Sequence, residues 1–254
     1  MLKKLIKYEF RCTARYLGII FPVFIVYALL YRGSMQLMII NGSPIFAVIF
    51  AGMSIGYMFM LYALIYVPFF YSVFRFYKNL VTDEGYLMHT LPVTPNQLVM
   101  SKLIVAMTWT TASVICIAGS VCLILAGNSL GESELPQELN ISRYVIIPVI
   151  LGILLLIVAL ASSFLQIYYS IAIGQTKNSN RALWSIVIYI GINFAVSIIS
   201  TVAVIVPVIL ASGFNDPVIV ISLILVVMLL VFTVISAGMY ILTCNIFRKR
   251  LNLL

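Results

Sequence analysis

Six stretches of this chain carry almost no charge: 17–31, 45–74, 98–126, 144–173, 182–210 and 218–247. A helix of about 20 apolar residues spans the hydrocarbon core of a bilayer, so all but the first of these are long enough to cross it. Hydrocarbon offers no partner to backbone N–H and C=O groups, which restricts a spanning chain to α-helices or a closed β-barrel. None of the six shows the two-residue alternation of a barrel strand. The expectation is an all-α, polytopic membrane protein: one transmembrane domain over residues 1–254, with six membrane-spanning helices. The short first segment is expected to borrow a turn from the helix before it. Pro22, Pro68, Pro148 and Pro207 should kink four of the helices near their ends.

Charge supports this reading through its location. Only 9% of the residues are charged, against about a quarter in soluble domains. The net charge of +8 would point toward nucleic acid in a soluble protein, but the charges lie between the apolar segments. With the N-terminus inside, only Arg32 and Arg143 of the 15 Lys and Arg fall on the outer side, where Glu132, Glu134, Glu138 and Asp216 also lie. This is the positive-inside pattern: it implies a multi-pass membrane protein with both termini cytosolic, and it accounts for the charge without nucleic acid. Arg11 and Arg15 extend the basic N-terminal region, and no small-residue cleavage pattern follows Tyr31, so the first apolar run reads as a permanent span rather than a signal peptide. Cys12, Cys116, Cys122 and Cys244 lack CxxC spacing and read as packing thiols.

Two cytosolic features carry structure of their own. Residues 1–16 form an amphipathic helix by spacing, with Lys3, Lys4, Lys7, Arg11 and Arg15 inside one arc of about 120°. Leu2, Leu5, Ile6, Phe10 and Cys12 cover the remainder, so the helix should lie in the membrane interface with its cations toward anionic lipid. Glu9 falls within the apolar arc, where it either pairs with a basic group or reaches solvent. The second feature is the connection 75–97, in which Thr82 or Asp83 can cap a short helix with Tyr86, Leu87 and Leu91 on its apolar side. Thr94 as N-cap, Pro95 at the first helical position and Gln97 at the third then start the next span at a fixed place. Such a braced segment suits a force-transmitting surface; it also reads as an ordinary ordered loop.

Within the spans the polar residues are uncharged and periodic. Tyr189, Asn193, Ser197, Ser200 and Thr201 recur along one side of the fifth, with Asn193 about 16 Å from its inner end at 1.5 Å per residue. Ser162, Ser163, Gln166, Tyr169 and Ser170 form a similar stripe on the fourth. Either the stripes join helices by hydrogen bonds, or they line a path offering ring faces and hydrogen bonds to hydrophobic or amphipathic cargo. Gly52 and Gly56 make a GxxxG that permits close helix approach, internally or between copies.

Several chemistries lack their parts in this sequence. There is no GxxxxGK[ST] loop for ATP phosphates, and the spans lack the ionisable groups a proton or ion carrier needs at depth, Lys102 lying close to the inner surface. His89 is the only histidine and sits in the cytosolic connection, so neither a histidine metal site nor a serine protease triad is available. No catalytic residue, metal or cofactor is expected on this chain.

The run Asp83-Glu84-Gly85-Tyr86-Leu87, followed by Thr90-Leu91-Pro92-Val93, Gln97 and Ser101-Lys102, resembles the first cytosolic loop of ABC-2 type permeases of Gram-positive bacteria. The layout of an N-terminal elbow helix, six spans and small outer loops is similar too. The resemblance implies a coupling helix between spans 2 and 3 that docks on a nucleotide-binding subunit through Asp83, Glu84, Gly85, Tyr86, Leu87, His89 and Leu91. It further implies a homodimer that exports cargo with two copies of a separate ATPase holding ATP and Mg. Within that family the chain is similar to the membrane subunit of exporters of phenol-soluble modulins, which are amphipathic peptides. A lipid or drug exporter, a membrane scaffold or sensor partner of an ATPase, and a passive channel remain the alternatives. Reporter tags fused at either end are expected to read out on the cytosolic side, and an exterior signal from one of them would reverse the charge argument.

Overall fold

The computed structural model describes residues 2–81, 94–128, 143–177, 180–210 and 217–249. The regular elements in these residues are all helices: α1 (Leu2–Leu17), α2 (Ile20–Asn41), α3 (Pro44–Val81), α4 (Pro95–Asn128), α5 (Arg143–Gly174), α6 (Arg181–Leu210) and α7 (Pro217–Lys249). Among the described residues, six helical stretches are long and apolar enough to cross a membrane. Their outward surfaces are strongly hydrophobic: Val48, Phe59, Ile115, Phe194 and Val234 are each between 69% and 72% exposed. So much exposed apolar area marks contact with lipid or another apolar partner rather than water, and the chain is an all-α, multi-pass membrane protein.

The first span differs from the sequence expectation. α1 ends at Leu17, and Gly18 and Ile19 form a turn in which the Gly18 N–H still donates to the Ala14 carbonyl at 2.9 Å. The length of α2 comes instead from its far end, which runs past Tyr31 through Arg32 to Asn41. The polar run Arg32-Gly33-Ser34 reads as a loop in sequence, yet the Ser34 hydroxyl bonds back to the Tyr31 carbonyl at 2.7 Å and leaves the helix intact. The helix stops at Gly42, whose φ of 59° is left-handed and whose N–H closes on the Met38 carbonyl. Glycine takes that conformation without steric cost, so α2 and α3 are joined through Gly42 and Ser43 alone. Pro22 also departs from expectation. It sits in the first turn of α2, where its missing N–H interrupts no helical bond, whereas Pro68, Pro148 and Pro207 lie inside their helices.

The chain divides into two compact units, one of Met1–Ser72 with Ile104–Gln137 and one of Val73–Leu103 with Glu138–Leu254. In the first, Phe24, Ala28, Tyr57 and Leu64 form a buried core with Phe21, Tyr27, Tyr31 and Cys116 packed around it. Tyr57 stacks on Tyr31 with centroids 4.8 Å apart, and its hydroxyl lies 2.8 Å from that of Ser120 on α4. A phenol in an apolar core needs such a partner. The Tyr27 ring crosses α3 at Gly56, and its hydroxyl donates to the Met53 carbonyl at 3.2 Å. In the second unit α5 packs along both α7 and α6, which also touch each other.

A Cβ at Gly56 would overlap the Tyr27 hydroxyl, whereas one at Gly52 would meet nothing. Gly56→Ala is therefore expected to destabilise the protein by about 1–3 kcal/mol through overpacking, and Tyr27→Phe by about 1 kcal/mol through the lost hydrogen bond. Thermal unfolding in detergent should give a double-mutant loss smaller than the sum, because both changes act on one contact.

Candidate functional site

The N-terminal helix is fastened to its unit by a defined set of groups. Glu9, Thr13 and Leu17 are its buried residues, one helical turn apart. The Thr13 hydroxyl donates to the carbonyls of Glu9 and Phe10, both at 3.0 Å, and accepts the Trp109 indole N–H of α4 at 2.8 Å. Phe10 stacks on Trp109 with centroids 5.1 Å apart and planes 11° from parallel, while Leu17 joins Val105 and Trp109 in a small core. The indole N–H, which hydrocarbon would leave unsatisfied, is thus spent on holding α1. Glu9 is 2% exposed, so of its two readings the one that reaches solvent is removed. Lys3, Lys4, Lys7, Arg11 and Arg15 are all exposed.

Segment 82–93 lies outside the described residues, and with it the candidates Asp83, Glu84, Gly85, Tyr86, Leu87, His89 and Leu91. Its two stems are described. On the α3 side Phe76 is fully buried and stacks on Tyr168 of α5, with centroids 3.7 Å apart and planes 5° from parallel. Phe247 of α7 meets the same ring edge-on at 6.1 Å, and Phe164 lies 6.2 Å from Tyr168. On the other side α4 starts at Pro95, as the sequence predicts, with the Thr94 carbonyl accepting the N–H groups of Gln97 at 2.9 Å and Leu98 at 3.2 Å. Leu98, Val99, Ser101 and Lys102 are buried, and the Tyr240 hydroxyl of α7 donates to the Asn96 carbonyl at 3.3 Å. Both stems therefore belong to the unit built on α5, α6 and α7. Between α5 and α6, Lys177 places its ammonium 5.4 Å from the centre of the Trp184 ring.

The two polar stripes have different surroundings. On α5, Ser162, Gln166 and Ser170 are buried and Tyr169 is half-buried. Ser162 and Ser163 return their hydroxyls to the Ala159 carbonyl, and Ser170 to that of Ile167. On α6 the buried row is Ser185, Val196, Ala203 and Pro207. Successive steps of four residues drift about 40° around a helix of 3.6 residues per turn, so the stripe leaves that row as it climbs. Tyr189 is half-buried, whereas Asn193, Ser197 and Thr201 are exposed. Ser200 and Thr201 both donate to the Ser197 carbonyl. The α5 stripe is interior to its unit, and the upper α6 stripe faces outward.

No family model, curated protein or solved structure matches the chain. Among the described residues no group of three or more His, Cys, Asp or Glu could hold a metal ion, and the four cysteines are free thiols. Thr13, Phe76, Trp109, Tyr168 and Phe247 are not among the residues that motifs in the sequence mark. One signal was available: an indole N–H in an apolar helix requires an acceptor, and Thr13 is a hydroxyl that stands with Glu9 within the mainly apolar arc of α1.

The contrast between the stripes has a direct consequence. Gln166→Ala is expected to cost about 1–3 kcal/mol because it empties a packed site, while Asn193→Ala should stay within about 0.5 kcal/mol as an exposed change does. Unfolding temperatures of the two variants in the same detergent check this.

Proposed function

We propose that this chain is the membrane-spanning subunit of an ATP-driven exporter, similar to ABC-2 type permeases and powered by a separate ATPase that carries ATP and Mg. The observation that supports it is the anchoring of both stems of segment 82–93: Phe76 is held by Tyr168 and Phe247, and Asn96 by Tyr240. A push delivered to that segment by a cytosolic partner passes into α5 and α7 through stacked rings and a hydrogen bond. Close-packed interiors transmit such displacement because they have little free volume to absorb it. An ordinary surface loop does not need Phe76 buried on one stem and Leu98 and Val99 buried on the other.

In this reading the permease works as a homodimer bound to two ATPase copies, with Asp83 and Glu84 meeting the partner. Cargo is hydrophobic or amphipathic, most naturally a short amphipathic peptide, because the six low-charge segments offer hydroxyls, amides and rings, with Lys102 as the only Lys, Arg, His, Asp or Glu among them. Asn193, Ser197 and Thr201 stand on an outward face where cargo or a second copy can reach them.

Co-reconstitution with the ATPase in proteoliposomes tests the proposal. Amphipathic peptide should stimulate ATP hydrolysis, and charge reversal by Asp83→Lys with Glu84→Lys should cut that stimulation by at least about tenfold, a loss equivalent to about 1.4 kcal/mol of coupling. Stimulation by lipid or drug instead of peptide would reassign the cargo. An ATPase that binds without any cargo response would make the chain a scaffold or sensor, and cargo flux without ATP would make it a channel.

A further inference from the structure

The exposed side of α1 is grooved. An open depression of about 660 Å³, shallow and exposed along its length, is lined by Lys3, Ile6, Lys7, Phe10, Arg11 and Ala14. These side chains fall into two rows, each with a four-residue step: cations at 3, 7 and 11, and apolar groups at 6, 10 and 14. At about 100° per residue the rows lie about 60° apart on the helix, and within a row neighbours are about 6 Å apart along the axis. Adjacent cations at that spacing can share one phosphate, and the apolar row runs beside them for the same length. The wall is preformed, since one face of Phe10 is already occupied by Trp109 and the ring is still 44% exposed.

We propose that this groove binds one anionic phospholipid, its phosphate held by Lys3, Lys7 and Arg11 and an acyl chain laid along Ile6, Phe10 and Ala14. Charge selects an anion, and the apolar row selects one that carries a tail. Position supports the same occupant: α1 leads through the Gly18–Ile19 turn into the apolar α2, so the groove lies at a membrane boundary. Tyr8 and Tyr16, 59% and 60% exposed on the same helix, are residues that favour headgroup depth. The site goes beyond the general attraction of a basic helix for anionic lipid because two further exposed cations, Lys4 and Arg15, lie outside the groove lining. It does not depend on the permease reading.

The test uses the full chain purified in detergent, with bound lipid counted by native mass spectrometry. Phosphatidylglycerol should be retained with a stoichiometry of one, and phosphatidylcholine should not. Lys7→Gln with Arg11→Gln should weaken retention by at least about tenfold, whereas Lys4→Gln with Arg15→Gln, an equal loss of charge, should change it by less than about twofold. All four positions are exposed, so the fold is expected to survive both pairs. Equal losses in the two pairs would overturn the proposal in favour of diffuse attraction, as would equal retention of phosphatidylcholine. Competition by tail-less glycerophosphoglycerol as effective as that of the intact lipid would overturn it too, since the groove would then hold a soluble anion.

Discussion

Hydrocarbon cannot hydrogen-bond a peptide group, and the all-helical architecture of this protein follows from that constraint. It makes each span a helix, and it presses every polar side chain in the spans to find a partner nearby. The serines and threonines of α4 to α7 meet the demand locally by returning their hydroxyls to carbonyls three or four residues back. The demand becomes architectural where the partner lies on another helix. Trp109 reaches Thr13, Tyr57 reaches Ser120, Tyr27 reaches Met53, and Tyr240 reaches Asn96. Each of these bonds fixes a helix pair at one register.

Aromatic rings supply the rest of that specificity. In lipid the apolar effect does not drive one helix onto another, so association rests on close packing and a few polar links. The Tyr31–Tyr57 and Phe76–Tyr168 stacks, with planes 6° and 5° from parallel, provide large flat contacts inside their respective units. Gly56 serves the same end by letting a ring lie against the backbone. The GxxxG pattern thus resolves into one glycine used within the chain and one, Gly52, that faces open space. Periodicity cannot separate the two, because the spacing is identical whichever surface opposes it.

What was legible in sequence depended on whether the signal was local. Helical class and the start of α4 at Pro95 are local, since composition and capping chemistry act over one or two turns. The far end of the first span was obscured because Arg32-Gly33-Ser34 has loop-like composition, although the apolar Leu37-Met38-Ile39-Ile40 beyond it carries the helix onward. Among the site residues the two stripes looked alike in sequence and proved to have different surroundings. Their spacing repeats on α5 and α6, but burial depends on which neighbours lie alongside. Glu9 was ambiguous for the same reason, its environment being set by elements distant in the chain.

The order of residues alone determined that this is a membrane protein of apolar helices with an amphipathic N-terminal segment, because transfer into lipid and backbone satisfaction are sums over short windows of chain. Only the tertiary structure decided which polar groups turn inward, that Trp109 holds α1 through Thr13, and that the stems of segment 82–93 meet α5 and α7. Those outcomes depend on contacts between residues up to 144 positions apart, and no local pattern encodes which distant partner a ring or hydroxyl will meet.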